Sequence, residues 1–459
     1  MQKQGQTMRP EMDLLEDRTV PATLRLLSGS LYISNPVNAG GATNVELRAV
    51  ANNQFEVYDN GAKIATVNVG GTIYYTGSNL PDTLTVNLQG NNFTGNLTAT
   101  MGNGNDAVDV FATGGALLGN VNVQTGYGDD TVNLNSNGAA MNFGGTIAVT
   151  DQLGVDTVNL GNAAAATNFL GNVQLSGVNT VNAGQGQADL IARDLSVLSL
   201  TENVPLSVTF ADNFAVNGRT TVRGTSAADA VILGVNSFGG AAEFLLGSGD
   251  DAFTLTADGA TFNGNLTLDL GLGSNSIDLA PAFTVGGSMT LRNAGSALAT
   301  TSINGTINGS FTVELGDGDY SLSTADTALV GGNFSIRAGN GTSTFGLQNT
   351  TGGDLSVILG NGSGNSTQIF GPATIGGRLI YRGGNGGTAL SPNTLVLGAS
   401  GLYNLDVLFG SGDDCLTFAG AGISLTGRAD GGGGIDGLGD TTNVTLLPTL
   451  TLASFETTC

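Results

Sequence analysis

The 459-residue chain contains no histidine and no tryptophan, only two cysteines, and only two lysines, Lys3 and Lys63. Without histidine, the usual general base for a serine or cysteine nucleophile and the commonest nitrogen ligand for a metal are both missing. Cys415 and Cys459 are too few for a disulfide framework and lack the paired spacing of a zinc site. Fourteen basic residues stand against 37 acids, a net charge of −23. That balance argues against nucleic acid or an anionic membrane as partner, because both are bound through Lys/Arg patches. No apolar run reaches the length of a membrane helix, so no membrane span is expected. The first 25 residues also lack the apolar centre of a secretory signal.

What the chain has is glycine, 74 residues of it, together with Val, Leu, Ile, Phe and Thr in short alternating runs. Many tight turns joined by short strands describe an all-β protein. The turns share one form, Gly-x-Gly-x-Asp-x-apolar. It occurs at Gly102–Val108, Gly126–Val132, Gly247–Phe253, Gly410–Leu416 and Gly432–Leu438, with weaker copies beginning at Gly271, Gly316 and Gly339. Before each turn runs a strand such as Gly119-Asn-Val-Asn-Val or Gly264-Asn-Leu-Thr-Leu-Asp-Leu, and after it a second, such as Asp130-Thr-Val-Asn-Leu134. From Gly95 to Gly427 there are 14 intervals over 332 residues, about 24 residues each. A fixed period of this size defines a solenoid, in which each repeat buries its apolar face only against its neighbours.

The expected fold is therefore a right-handed parallel β-helix of about 15 coils, roughly 24 residues per coil, capped at both ends. At a strand spacing of about 4.8 Å it makes a rod of roughly 70 Å. Four segments follow: a charged leader over 1–28, N-terminal strands and a cap over 29–94, the repeats over 95–440, and a C-terminal cap over 441–459 built on Val444–Leu452. Within the repeats, the fifth residue after the anchoring glycine points outward and reads Asp269, Arg292, Glu314 and Arg337 in consecutive coils, with Arg223 two coils before and Arg382 two after. Alternating charge stacked in this way favours one register, because a slip sets like charges opposite each other.

Near the start, Leu15-Glu16-Asp17-Arg18-Thr-Val-Pro21-Ala22 resembles the short Leu-Glu-x-Arg motif of large bacterial repeat proteins thought to be exported. The Gly-x-Gly-x-Asp turns resemble the nonapeptide of calcium-binding RTX proteins, which implies calcium as cofactor and Asp106, Asp130, Asp251, Asp414 and Asp436 as ligands; coil stacking adds Asp156 beside Asp106 and Asp130. The acid doublets extend that set to Asp250 and Asp413, and include Asp129. The chain departs from that family in carrying one turn per long coil, whereas the RTX nonapeptide runs in tandem. Calcium needs six to eight oxygens. Asn275 and Ser343 fill the same slot elsewhere, as a turn closed by a short polar side chain also explains. Both readings stand at this point.

The functional expectation is a non-catalytic, extracellular or cell-surface β-solenoid, structural or adhesin-like, with a surface polysaccharide or another surface protein as partner. The competing class is a polysaccharide lyase or hydrolase on a β-helix, which needs acids clustered in one cleft beside Arg378 and Arg382. Acids spread evenly along the turns favour the rod.

Overall fold

A computed structural model describes residues 22–35, 42–439 and 444–457, apart from 137, 163, 185–187, 201–202 and 301. The Leu15–Pro21 stretch and Cys459 lie outside the described residues. The described chain is all-β: three faces of stacked strands wind around one apolar core as a parallel β-solenoid of about 16 turns with roughly 23 residues per turn. Among the described residues no helix is long and apolar enough to cross a membrane.

One coil shows how the sequence makes the path. Val121–Tyr127 lies on the first face, the glycine turn follows, Thr131–Leu134 lies on the second face, and the short Met141–Phe143 on the third. Each strand pairs in parallel with its counterpart one coil away: Val121 with Leu97 and Ile147, Val132 with Val108 and Val158, Phe143 with Leu117 and Phe169. Alternation puts every second residue inside. On the second face Val108, Val132, Val158, Val181, Val208 and Val231 form one continuous buried row. Aromatic rings stack in the same way. Phe143 lies 5.1 Å from Phe169 and Phe238 lies 5.0 Å from Phe262, each pair close to coplanar. Outside, Asn182, Asn159, Asn133 and Asp109 form an amide ladder, each Nδ2 donating to the side-chain oxygen one coil earlier at 2.9, 2.7 and 2.6 Å.

The turns explain the glycine content. Gly126 has φ +110° and Gly128 +132°. A Cβ on Gly126 would overlap the carbonyl oxygen of Gly102 in the coil beneath, so both conformation and space exclude a side chain. The charge row also falls where the spacing puts it: Asp269 pairs in register with Arg292, Arg292 with Glu314, and Glu314 with Arg337. Within that row Arg292 Nε donates to Glu314 Oε2 at 2.6 Å.

The N-terminal boundaries differ from the sequence reading. Thr23–Leu27, inside the expected leader, is already a strand, antiparallel to Ser30–Ser34 through a turn at Ser28-Gly29. Regular coils begin with Ile73–Thr76 and Thr83–Asn87, inside the segment expected to be cap. The cap proper is that first hairpin together with Asn44–Ala51, Gln54–Asp59 and Ala62–Asn68, which turn antiparallel on the second face. Two of the two-residue turns, Ser28-Gly29 and Asn60-Gly61, hold positive φ at both positions, as type I′ hairpins need. The sequence period missed this because antiparallel hairpins have no coil length to repeat. At the other end Val444–Ala453 adds a last parallel strand to the first face, with Leu450, Leu452 and Phe455 packed on the core. Pro448 in that strand removes one backbone donor, a common way to blunt a sheet edge.

Candidate functional site

The nine aspartates singled out from the sequence separate into two rows with opposite jobs. The last position of each Gly-x-Gly-x-Asp turn points inward. Asp106, Asp130, Asp156, Asp251, Asp414 and Asp436 are each no more than 3% exposed. Their carboxylates run along the rod axis: Asp106 Oδ1 accepts the backbone N–H of Asp82 at 2.7 Å, Asp130 that of Asp106 at 2.7 Å, and Asp156 that of Asp130 at 2.9 Å. The row continues through Asn179 to Asp156 N, Asp251 to Asp229 N, Asn275 to Asp251 N, and Asp436 to Asp414 N. An asparagine oxygen serves the same purpose, which is why asparagine alternates with aspartate in this slot.

The preceding residue of each doublet faces solvent and reaches the other way. Asp129 accepts the N–H of Val155 at 2.9 Å, Asp250 that of Ser274 at 2.8 Å, and Asp413 that of Ile435 at 2.9 Å, each one coil further on. A doublet thus clamps both adjoining coils, backwards with its buried member and forwards with its exposed one. These bonds satisfy turn N–H groups that no strand partner reaches.

Burial has an electrostatic consequence. It pushes the Asp106 carboxyl up to about 7, and those of Asp130, Asp251 and Asp414 up to about 6, against the favourable backbone N–H bonds or, at Asp414, the Asn393 amide. Asp189, which accepts the N–H of Thr167 at 2.5 Å on the third face, is raised to about 6 for the same reason. Asp436 is raised by burial as well. In Asp106, Asp130, Asp156, Asp251 and Asp414 the second oxygen, Oδ2, is buried without a hydrogen-bond partner.

Among the described residues one group of three carboxylates comes close enough to share a cation: Asp130, Asp151 and Asp156, with one oxygen from each within 4.8 Å of the others. Asp130 was expected from the turn motif and Asp156 from the stacking of coils. Asp151 was not, because it precedes the turn. The signal available was its place in the register. It follows Thr150, which pairs with Gln124, so Asp151 stands in the inward corner row that holds Met101, Leu246 and Leu270 in other coils. Asp106, Asp250, Asp251, Asp413, Asp414 and Asp436 join no such group.

The arginines named for a catalytic cleft are engaged along the rod. Arg378 contacts Asp354 at 3.2 Å, and Arg382 contacts Asp406 at 2.9 Å and the Asp406 backbone oxygen at 2.5 Å. The surface depressions are shallow. One of about 520 Å³ beside Asp258, Phe283, Asn304 and Thr327 contains a single carboxylate. Another of about 460 Å³ lies at Asp413, Asp414, Cys415 and Ile435. Cys415 is disulfide-bonded, and Cys459 is the only other cysteine of the chain. Comparison of the chain with protein-family models, with curated proteins and with solved structures returns no match.

Proposed function

We propose that the protein is a non-catalytic extracellular or cell-surface rod, structural or adhesive in role, whose partners are surface polysaccharides or other surface proteins. One observation carries this reading: the polar side chains repeat coil after coil in hydrogen-bond ladders instead of converging on one cleft. A catalytic acid–base pair is needed once, at one place, whereas a ladder needs its residue in every coil. Arg378 and Arg382 each pair with one acid of a neighbouring coil, Asp354 and Asp406, in the same cross-coil manner as Arg292 with Glu314. The disulfide at Cys415 agrees with an oxidising compartment. The strongly acidic balance suits an exposed, soluble surface.

The test has two arms. Membrane-impermeant labelling of intact cells that express the protein should mark it without lysis. Incubation with a panel of neutral and acidic polysaccharides should give retention without product. Labelling only after lysis would overturn the location, and release of reducing or unsaturated ends would overturn the non-catalytic role.

A further inference from the structure

We propose that Asp130, Asp151 and Asp156 form an interior site for one calcium-sized divalent cation, held inside the corner of the solenoid and not at the solvent face of the glycine turns. The three side chains are 1%, 3% and 2% exposed. One oxygen of each already has a donor. Asp106 N serves Asp130 Oδ1 at 2.7 Å, Asp130 N serves Asp156 Oδ1 at 2.9 Å, and Thr125 Oγ1 serves Asp151 Oδ1 at 2.8 Å. The other three, all Oδ2, are buried with no donor.

Lone orphan oxygens occur elsewhere in the row, and a proton can answer each of them. At Asp251 and Asp414 the inward corner residue is apolar, Leu246 or Phe409. The coil at Asp151 differs because a third carboxylate replaces that apolar residue. One proton shared by two of the three carboxyls leaves the third charged in a dry interior, so protons alone neutralise the group only when at least two are held by side chains packed together. A divalent cation serves all three. Hard cations take carboxylate oxygens, and the flexible six-to-eight-oxygen shell of calcium, at about 2.3–2.6 Å, accommodates a carboxylate set whose oxygens lie within 4.8 Å of one another. Filling the site stabilises the folded chain, since the unfolded chain does not assemble it. The inference is independent of the rod reading, because a structural cation serves an enzyme and a scaffold alike.

The test uses the full chain, refolded with calcium chloride or with chelator and then desalted. The expected result is one tightly held calcium per chain by elemental analysis, and a melting midpoint several degrees higher than in chelator. Asp151→Asn should lose both the bound calcium and the calcium-dependent shift. Asp413→Asn, on an exposed doublet, should keep both. Because Asp151→Asn also changes a buried, hydrogen-bonded side chain, Asp151→Leu sets there the residue type that Leu246 and Leu270 supply in other coils, and it should melt at the same temperature with and without calcium. Wild-type protein without bound calcium and without a calcium-dependent shift would overturn the site, as would binding that survives Asp151→Asn.

Discussion

Replacing Asp251 by asparagine should stabilise the protein at alkaline pH and leave it nearly unchanged in acid. The substitution keeps the Oδ1 acceptor that holds Asp229 N at 2.8 Å. The new amide has a precedent one coil on, where Asn275 Nδ2 donates to Leu270 O at 3.1 Å; Leu246 O stands in the matching place for residue 251. What the substitution removes is a charge. Burial raises the Asp251 carboxyl to about 6 from an ordinary 3.8, so the folded state favours the protonated form. The penalty is absent below the unfolded value, grows as pH rises through about 6, and is complete above about 7. At about 1.36 kcal/mol per pH unit the difference is roughly 3 kcal/mol, and solvent screening reduces it to about 1–3 kcal/mol. Thermal melting followed by circular dichroism, in chelator at pH 4 and pH 8, reads the effect. A cooperative block of about 150–250 residues shifts about 2–4 °C per kcal/mol. The variant should melt several degrees above wild type at pH 8 and within about a degree of it at pH 4. An equal shift at both pH values, or a loss confined to pH 8, would refute the argument that the buried charge is the cost.

Two further outcomes follow from the packing. Reversing Arg292 to glutamate sets an acid between Asp269 and Glu314 and should cost about 0.5–1 kcal/mol; adding Asp269→Arg, whose other neighbour Leu245 is uncharged, should recover part of it, and a double variant no more stable than the single one would remove the charge row as a register device. Gly126→Ala should lower the melting temperature sharply, because the methyl group meets the Gly102 carbonyl at a positive φ, whereas alanine at Gly114, where a Cβ meets nothing within 4 Å, should suffer only the backbone strain of its own φ of +112°. Equal losses would mean that inter-coil contact adds nothing.

Much of the architecture was legible because a solenoid writes its geometry into a period. Gly-x-Gly-x-Asp marked the corner between two faces, and the spacing of Asp269, Arg292 and Glu314 predicted cross-strand partners. The site was less legible. The motif identified Asp130, and the stacking of coils Asp156, but not which way their side chains point, because a turn residue can face either side of the backbone and alternation fixes direction only within strands. The reading of a turn closed by a short polar side chain supplied an acceptor but not that its donor lies in the neighbouring coil. Asp151 lay outside the motif and becomes noticeable only when the row it shares with Thr125 and Gly177 in the adjoining coils, and with Met101, Leu246 and Leu270 in others, is compared as one. The cap strands fall within the expected 29–94, but its limits differ: Thr23–Leu27 lay in the stretch read as leader, because one short strand before a hairpin carries no period.

The doublet clamp gives the chain a grammar for growth. Each coil offers its predecessor a carboxyl oxygen and its successor another, so duplication of one whole coil inserts a unit that both neighbours already accept. Insertion of half a coil leaves two corners facing the wrong donors. The row ends where other groups take over: Thr43 N meets Asp82 Oδ1 at 3.2 Å, and Glu456 N and Thr457 N meet Asp436 O at 2.9 and 3.0 Å. Descendants of such a gene can therefore differ in length by integer numbers of coils while inheriting the same two terminators.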